Sequence, residues 1–393
     1  MKYQDFINSP VGTLVPLKGF DSRLQRAYDH WAFIPSLLPY QLTLSNETHT
    51  LIAQASREIG RLQTALDTFP NPMILQRTSL AREAQSTSAL EGTYAPLESV
   101  FEGEFLLDSE ISSEQREVMN YIRAARVGLG SIENTPIRIN LLSHLQSIIV
   151  EKTRGGQSDQ GVVRTTPVII GDDTKPVEES RFIPAPPGIE LEAGFIAWEE
   201  WLGHSHDFAS LVTIALGHYQ FETLHPYHDG NGRLGRLVIS MQLKKFNLLT
   251  PPILNLSAYF NARKEEYKDE LLEVSKTGNF DRWIQFFAQA VITQSQSEIS
   301  RIKQLQHLIA EMESQIRSSD GRGLVLEIPK TLLGSPYFLI ADLAKHLGKS
   351  YPAVKTAVEK LVDLQIVQEI TIKGRKRIFV SPRVMHILQE DSL

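Results

Sequence analysis

Apolar residues recur three and four positions apart through most of the chain, and that spacing predicts a protein built chiefly of helices. LIAQASREIGRLQTAL and LAREAQSTSALEG, between Leu51 and about Phe105, carry it and are parted by the breaker TFPNP at 68–72. Helical spacing returns in 113–129, 139–153, 191–202, 207–224, Gly232 to Phe246 and 264–276. A long helix is expected from about Phe280. In its second half Ile302, Leu305, Ile309, Met312 and Ile316 form a narrow apolar seam. Such a seam suits docking on another helix of the same protein, with a homodimer as the alternative.

Two stretches break the pattern. Residues 1 to about 45 are rich in proline and aromatics with little periodicity, and are expected to wrap over other structure. Residues 161–187, GVVRTTPVIIGDDTKPVEESRFIPAPP, hold β-branched runs around Asp172 and Asp173 and end in prolines, which predicts a hairpin or extended flap.

SSDGRG at 318–323 marks the last boundary. Beyond it the pattern reads helix, glycine turn, helix, then two strands joined by a basic turn, and resembles a winged helix-turn-helix. Ser350 is expected as N-cap with Pro352 in the first turn, where its missing N–H costs nothing. Val354, Val358, Leu361 and Val362 would face the core, Lys355 and Lys360 would stay outside, and Lys373, Arg375, Lys376 and Arg377 would sit on the wing. A helix so placed could enter a DNA major groove, although the fold also serves protein contacts.

Composition narrows the classes. The chain of 393 residues is long enough for two or three cores, and no cysteine occurs, which excludes disulfides and cysteine-ligated zinc and suits a reducing compartment. The first residues show no secretory leader pattern, and no run of about 18 apolar residues occurs, so a cytoplasmic protein with no membrane partner is expected. A net charge of −6 argues against coating nucleic acid along the whole length. From Gly321 onward, however, eleven basic residues face seven acidic ones, so this end is the one suited to an acidic partner such as DNA.

The candidate chemistry lies in HPYHDGNGRLGR, residues 225–236. Within it, Gly230 to Gly235 fits the G-x-G-x-x-G pattern of a dinucleotide-binding loop. That reading needs a strand before the first glycine and an acidic residue about 20 positions on. The preceding GHYQFETLHPY is helical, and no Asp or Glu occurs from Gly230 to Lys264. The dinucleotide reading fails. What remains is a helix ending near Leu224, a tight turn, and a new helix whose free N–H groups, unhindered at Gly230 and Gly232, suit phosphate. Arg233 and Arg236 share a face of that helix and can grip further phosphate oxygens. Asp229 beside a phosphate cradle is best explained by Mg²⁺ between the two charges. His225 is then placed to take a proton from an incoming hydroxyl.

These residues resemble the signature of the Fic family, His-Pro-Phe-x-Asp/Glu-Gly-Asn-Gly-Arg-x-x-Arg, with Tyr227 in place of phenylalanine. GVVR and RFIPAPP resemble the family's flap, and PPILNLSAYFNARKEEYKDEL resembles the segment after the motif. The resemblance implies a mainly α fold, an all-helical Fic core with a β-hairpin flap over 110–290 behind a helical N-terminal region over 1–109, to which the chain's own pattern adds a connecting helix over 291–320 and the winged helix domain over 321–393. It implies transfer of AMP from ATP to a Ser, Thr or Tyr hydroxyl of a target protein, or of the protein itself, with release of pyrophosphate. His225 would be the general base and Asp229 the Mg²⁺ ligand. Asn231 and the amides of Gly230 and Gly232 would hold the α-phosphate, and Arg233 and Arg236 the β and γ phosphates. Tyr259 and Asn261 would belong to the adenine pocket.

Upstream, Thr87-Ser-Ala-Leu-Glu91-Gly92 fits the family's inhibitory pattern, Ser/Thr-x-x-x-Glu-Gly/Asn, and four-residue spacing puts Thr87 and Glu91 on one face. By resemblance Glu91 would pair with Arg236 and deny it to the γ-phosphate. Two other functions stay open: a different phosphoryl-type transfer on the same loop, and a DNA-binding regulator whose core only senses nucleotide.

Overall fold

The computed structural model describes residues 1–393 except 22–23, 70, 134, 154–158, 173, 373–375 and 391–393, and leaves the Lys376 side chain undescribed. Asp173, Lys373, Arg375 and the Lys376 side chain therefore lie outside the described residues. The fold is mainly α, as the periodicity predicts.

Its centre is helix α7 (Ser210–Leu224), buried at nearly every position from Leu211 to Leu224. Its largely apolar sequence, with no single polar face, suits a helix inside a core. Around it pack α6 (Ile189–Gly203), α8 (Asn231–Lys245), α10 (Lys264–Thr277) and α11 (Phe280–Ser318). Two tryptophans fix these layers: Trp198 of α6 and Trp283 of α11 each donate Nε1–H to an α7 carbonyl, those of Gly217 and Ala215, at 2.8 Å. Helix α1 (Asn46–Asp67) buries Ile52, Ala55, Ile59, Leu62 and Leu66 along α11, and the Ser45 hydroxyl caps it through the Thr48 N–H. Helix α2 (Ile74–Leu90) follows the TFPNP break and packs on α4 (Ser113–Ser131), α8 and α9 (Leu256–Ala262). Helix α5 (Ile139–Ile149) ends four residues before the expected boundary and packs against α4 and α8.

The N-terminal stretch departs from expectation. It forms an antiparallel hairpin of β1 (Gly12–Asp21) and β2 (Arg26–Pro35), paired from Gly12 with Pro35 to Asp21 with Arg26. Pro16 and two glycines interrupt its alternation, which hid the strands. The hairpin braces the flap: the Phe33 N–H donates to the Ile183 carbonyl at 2.9 Å, and Phe6, Phe33 and Phe182 pack with ring centroids 5.6–6.1 Å apart. The flap is extended, not a regular hairpin; among the described residues one bridge, Ile170 with Phe182, crosses it.

The long seam is covered by the chain itself. Ile302, Leu305, Met312 and Ile316 are buried and Ile309 is half-buried, with α11 lying against α1, α12 (Ile328–Leu332) and the C-terminal α15 (Pro382–Gln389). Beyond it come β3 (Tyr337–Phe338), α13 (Ile340–Leu347), α14 (Tyr351–Asp363), β4 (Gln368–Ile372) and β5 (Lys376–Val380), the strands in the antiparallel order β3-β5-β4. Val354, Val358 and Leu361 are buried and Val362 half-buried. Ser350 occupies the N-cap position without a side-chain capping bond. Lys355 is exposed, but Lys360 is not outside as expected: it is half-buried, with Nζ on the Ser319 carbonyl at 2.8 Å at the end of α11. Among the described residues no helix is long and apolar enough to cross a membrane.

Candidate active site

Residues 225–230 turn the chain from α7 into α8. His225 ends α7 in the left-handed region, φ 49° and ψ 61°, with its N–H bonded to the Phe221 carbonyl. That conformation costs a non-glycine residue about 1–2 kcal/mol, so its surroundings must hold it. Arg164, at the start of the flap, does this: its Nε donates to the His225 carbonyl at 2.8 Å, its Nη2 to Ala185 O at 2.6 Å and its N–H to Pro226 O at 3.0 Å. Tyr227 plugs the turn into the core, fully buried, edge-on to Phe195 and with its hydroxyl 3.1 Å from Ser143 Oγ.

Asn231 makes its contacts within the turn. Its buried amide locks the turn, Nδ2 donating to Tyr227 O at 2.7 Å and Oδ1 accepting from Tyr227 N–H at 2.9 Å. The N–H groups at the start of α8 remain as anion donors. Gly230 begins that helix at φ 81°, where a Cβ would also stand 3.1 Å from Val150 Cγ1.

Helix α2 reaches across to the same place. Arg236, buried on α8, donates from Nε to Thr87 Oγ1 at 2.6 Å and from Nη2 to Glu91 Oε1 at 2.5 Å. Glu91 follows the last residue of α2, and Gly92 at φ 94° turns the chain away. Burial alone would raise the Glu91 carboxyl, but the Arg236 guanidinium holds it below its ordinary value. Arg236 in turn stays above its ordinary value: burial opposes its charge and Glu91 more than offsets that. Arg233, also buried, lies between Asp229, at 3.1 and 3.2 Å, and Glu117 Oε2 at 3.1 Å. Glu117 accepts from Thr93 Oγ1 at 2.8 Å as well, so the segment after α2 is tied to the second arginine too.

A cavity of about 550 Å³ opens here, bounded by Glu91, Glu222, His225, Gly232, Arg236 and Tyr267. Ile170 and Phe182 close its flap side. Burial, and then the positive charge of Arg164, push the His225 imidazole down to about 4, which leaves it neutral at pH 7. Asp229 keeps its carboxylate two-fifths exposed and accepts the Gly230 N–H at 2.7 Å. Among the described residues no three metal-ligating side chains cluster. One exposed carboxylate beside an anion site fits Mg²⁺ nonetheless, because that ion takes one or two carboxylates and completes its shell with phosphates and water.

The residues lining this cavity do not include Tyr259 or Asn261. Tyr259 is core, edge-on to Phe286 at 5.5 Å with Arg263 over its ring at 4.0 Å, and Asn261 is half-buried. The aromatic that lines the cavity is Tyr267, stacked on Phe260 at 4.7 Å. Arg164, Glu117 and Glu222 were also not singled out from the sequence. For Glu222 a signal existed: it is the one acidic residue of α7 and stands about one turn before His225.

Comparison with known proteins points the same way. The family model described as Fic/DOC family N-terminal matches residues 49–130, and the Fic/DOC family model matches residues 136–243. The chain is 31% identical over 133 residues to the protein adenylyltransferase Fic of Nematostella vectensis, covering 33% of this chain and 27% of that protein. It is 24% identical over 267 residues to protein adenylyltransferase fic-1 of Caenorhabditis briggsae, covering 63% and 48%. The chain thus spans about a quarter to a half of these curated relatives. A crystal structure of a Fic family protein from Desulfovibrio desulfuricans G20 superposes with a TM-score of 0.57 at 20% identity, over 86% of this chain and 97% of that one. At that identity the likeness concerns the fold.

Proposed function

Because the chain belongs to the Fic/DOC family, we propose that it is a protein adenylyltransferase, held in an inhibited state by the contact of Glu91 with Arg236. The observation that carries the reading is a neutral His225 opening on the same cavity as the glycine-started N-terminus of α8. A target Ser, Thr or Tyr oxygen attacks the α-phosphorus of ATP, and its proton passes to His225 Nε2. The bond from the α-phosphorus to the bridging oxygen breaks, and pyrophosphate leaves. Positioning and charge neutralisation supply most of such a rate. Asp229 would hold Mg²⁺, which when bound neutralises phosphate charge. The α8 amides take the α-phosphate, Arg233 the β-phosphate and Arg236 the γ-phosphate. Arg236 is available only once Glu91 has left it. The flap's 182–184 side is already engaged by β2 at Ile183, so a target backbone would add along the 167–171 side.

The test is to incubate wild type, Glu91→Gly and His225→Ala with Mg²⁺ and ATP labelled at the α or the γ phosphate, with cell extract as target. Label from α alone, strongest in Glu91→Gly and absent in His225→Ala, supports the reading. Label from γ would assign a kinase-like reaction, and no label from any variant would overturn transfer altogether.

A second activity rests on the C-terminal topology. Helix, turn, helix and a three-stranded sheet in the order β3-β5-β4 support the reading of a winged helix, with Lys355 on the exposed face of α14. In this reading the protein also binds duplex DNA. A Lys355→Ala variant with unchanged affinity for duplex DNA would count against it.

A further inference from the structure

Glu222 stands apart from the other charged groups of the cavity. It lies on α7 with its side chain 14% exposed, and its Oε1 has no hydrogen-bond partner among the described residues. A buried polar group left without a partner is costly and calls for a reason. The neighbouring elements bring few charges to it. His218 of its own helix lies 3.9 Å away, and burial drives that imidazole down to about 3, so it is neutral. Tyr267 of α10 bonds His218 at 2.8 Å and is uncharged, and His225, also neutral, ends the same helix. That leaves Arg236 of α8, which attracts Glu222, and Glu91 after α2, which repels it. Helix α8 makes room for the carboxyl: a Cβ at Gly235 would stand 2.7 Å from Glu222 Oε1. One guanidinium charge therefore faces two carboxyls, and Glu91 holds the hydrogen bond.

We propose that Glu222 is a positioning residue for the nucleotide: it must carry a proton for the terminal phosphate of ATP to pair with Arg236, and once ionised it takes that arginine as a second internal competitor beside Glu91. The inference rests on the adenylyltransferase reading above. In the closed state burial pushes the Glu222 carboxyl up to about 7, against the attraction of Arg236 and with the repulsion of Glu91 added. When Glu91 is gone that repulsion disappears and Arg236 keeps Thr87 but has lost its carboxylate partner, so Glu222 ionises more readily in the free enzyme. A bound triphosphate restores negative charge beside it and favours the protonated form. The bound state then holds more protons than the free state. Affinity falls as pH rises between the two midpoints, by at most about tenfold per pH unit, and is flat outside them.

The experiment measures binding of a non-hydrolysable ATP analogue with excess Mg²⁺ to Glu91→Gly and to Glu91→Gly/Glu222→Gln, from about pH 6 to 8, by calorimetry in two buffers of different ionisation enthalpy. The glutamine keeps the donor of the protonated acid and cannot ionise. Expected are a dissociation constant that rises with pH and proton uptake in the single variant, and a flatter profile in the double variant with tighter binding at the alkaline end. Equal slopes in the two variants overturn the role of Glu222. Should the double variant not fold, an absence of proton uptake by Glu91→Gly near pH 7 overturns it alone. Failure of Glu91→Gly to bind the analogue at any pH overturns the adenylyltransferase reading with it, whereas binding without proton linkage removes only Glu222.

Discussion

Glu91 Oε1 fills the space that a side chain at Gly232 would need. The Glu91 carboxylate therefore stands at the first turn of α8, where backbone N–H groups favour an anion, as well as on Arg236. Under the proposed inhibition Glu91 would take the place of a phosphate there. Glu91→Gly should raise AMP transfer at least about tenfold, the effect of some 1.4 kcal/mol of lost competition. Because the Glu91 side chain is 40% exposed, its removal should cost only about 1–2 kcal/mol of stability. Adding Mg²⁺ and ATP should raise the Tm of this variant more than that of wild type; equal shifts would show that Glu91 does not compete with the nucleotide.

The pH profile of kcat tests the base. As the proposed base His225 would act only when neutral, so activity should be lost as pH falls through its pKa, which lies at about 4 in the closed state. Bound phosphates raise that value somewhat. In Glu91→Gly the acidic limb of kcat should still lie below the ordinary histidine value of about 6.5. A limb at or above it would mean that another group supplies the base or that the pocket opens to water.

Tyr227→Phe removes one hydrogen bond, that with Ser143, from a ring that stays buried. The expected cost is about 0.5–1.5 kcal/mol, seen as a Tm lowered by a few degrees with transfer unchanged. A loss of activity beyond about threefold would give the hydroxyl a part in catalysis that its place under the turn does not suggest.

Phe33→Ala tests the brace between hairpin and flap. Opening a cavity among Phe6, Phe33 and Phe182 should cost about 3–4 kcal/mol and loosen residues 170–183. Hydrogen exchange should rise in the flap before it rises in α7. The apparent KM for a protein target should rise while analogue binding changes little; parallel losses of both would mean that the hairpin supports the whole core.

The parts legible in the sequence are those whose physics is local. Amphipathic spacing marks most helices, and the break between α1 and α2 is written in TFPNP. Gly230, Gly232 and the spacing of Arg233 from Arg236 announce a helix N-terminus built for anions, and Thr87 with Glu91 shares a face because four residues make about one helical turn. The tertiary structure decided what those groups meet. Asn231 carries the residue type of a ligand but turns inward, because two backbone groups of Tyr227 lie within its reach. Tyr259 is drawn into the aromatic core around Phe286 and Tyr267 takes the cavity wall, a choice made by the crossing of α9 and α10 that no spacing reveals. The β1–β2 hairpin was hidden because strand pairing is non-local and its alternation is broken at Pro16. Glu222 shows the limit most plainly: its residue type and position are local facts, while its orphaned oxygen and its claim on Arg236 exist only once α2, α7 and α8 are packed together.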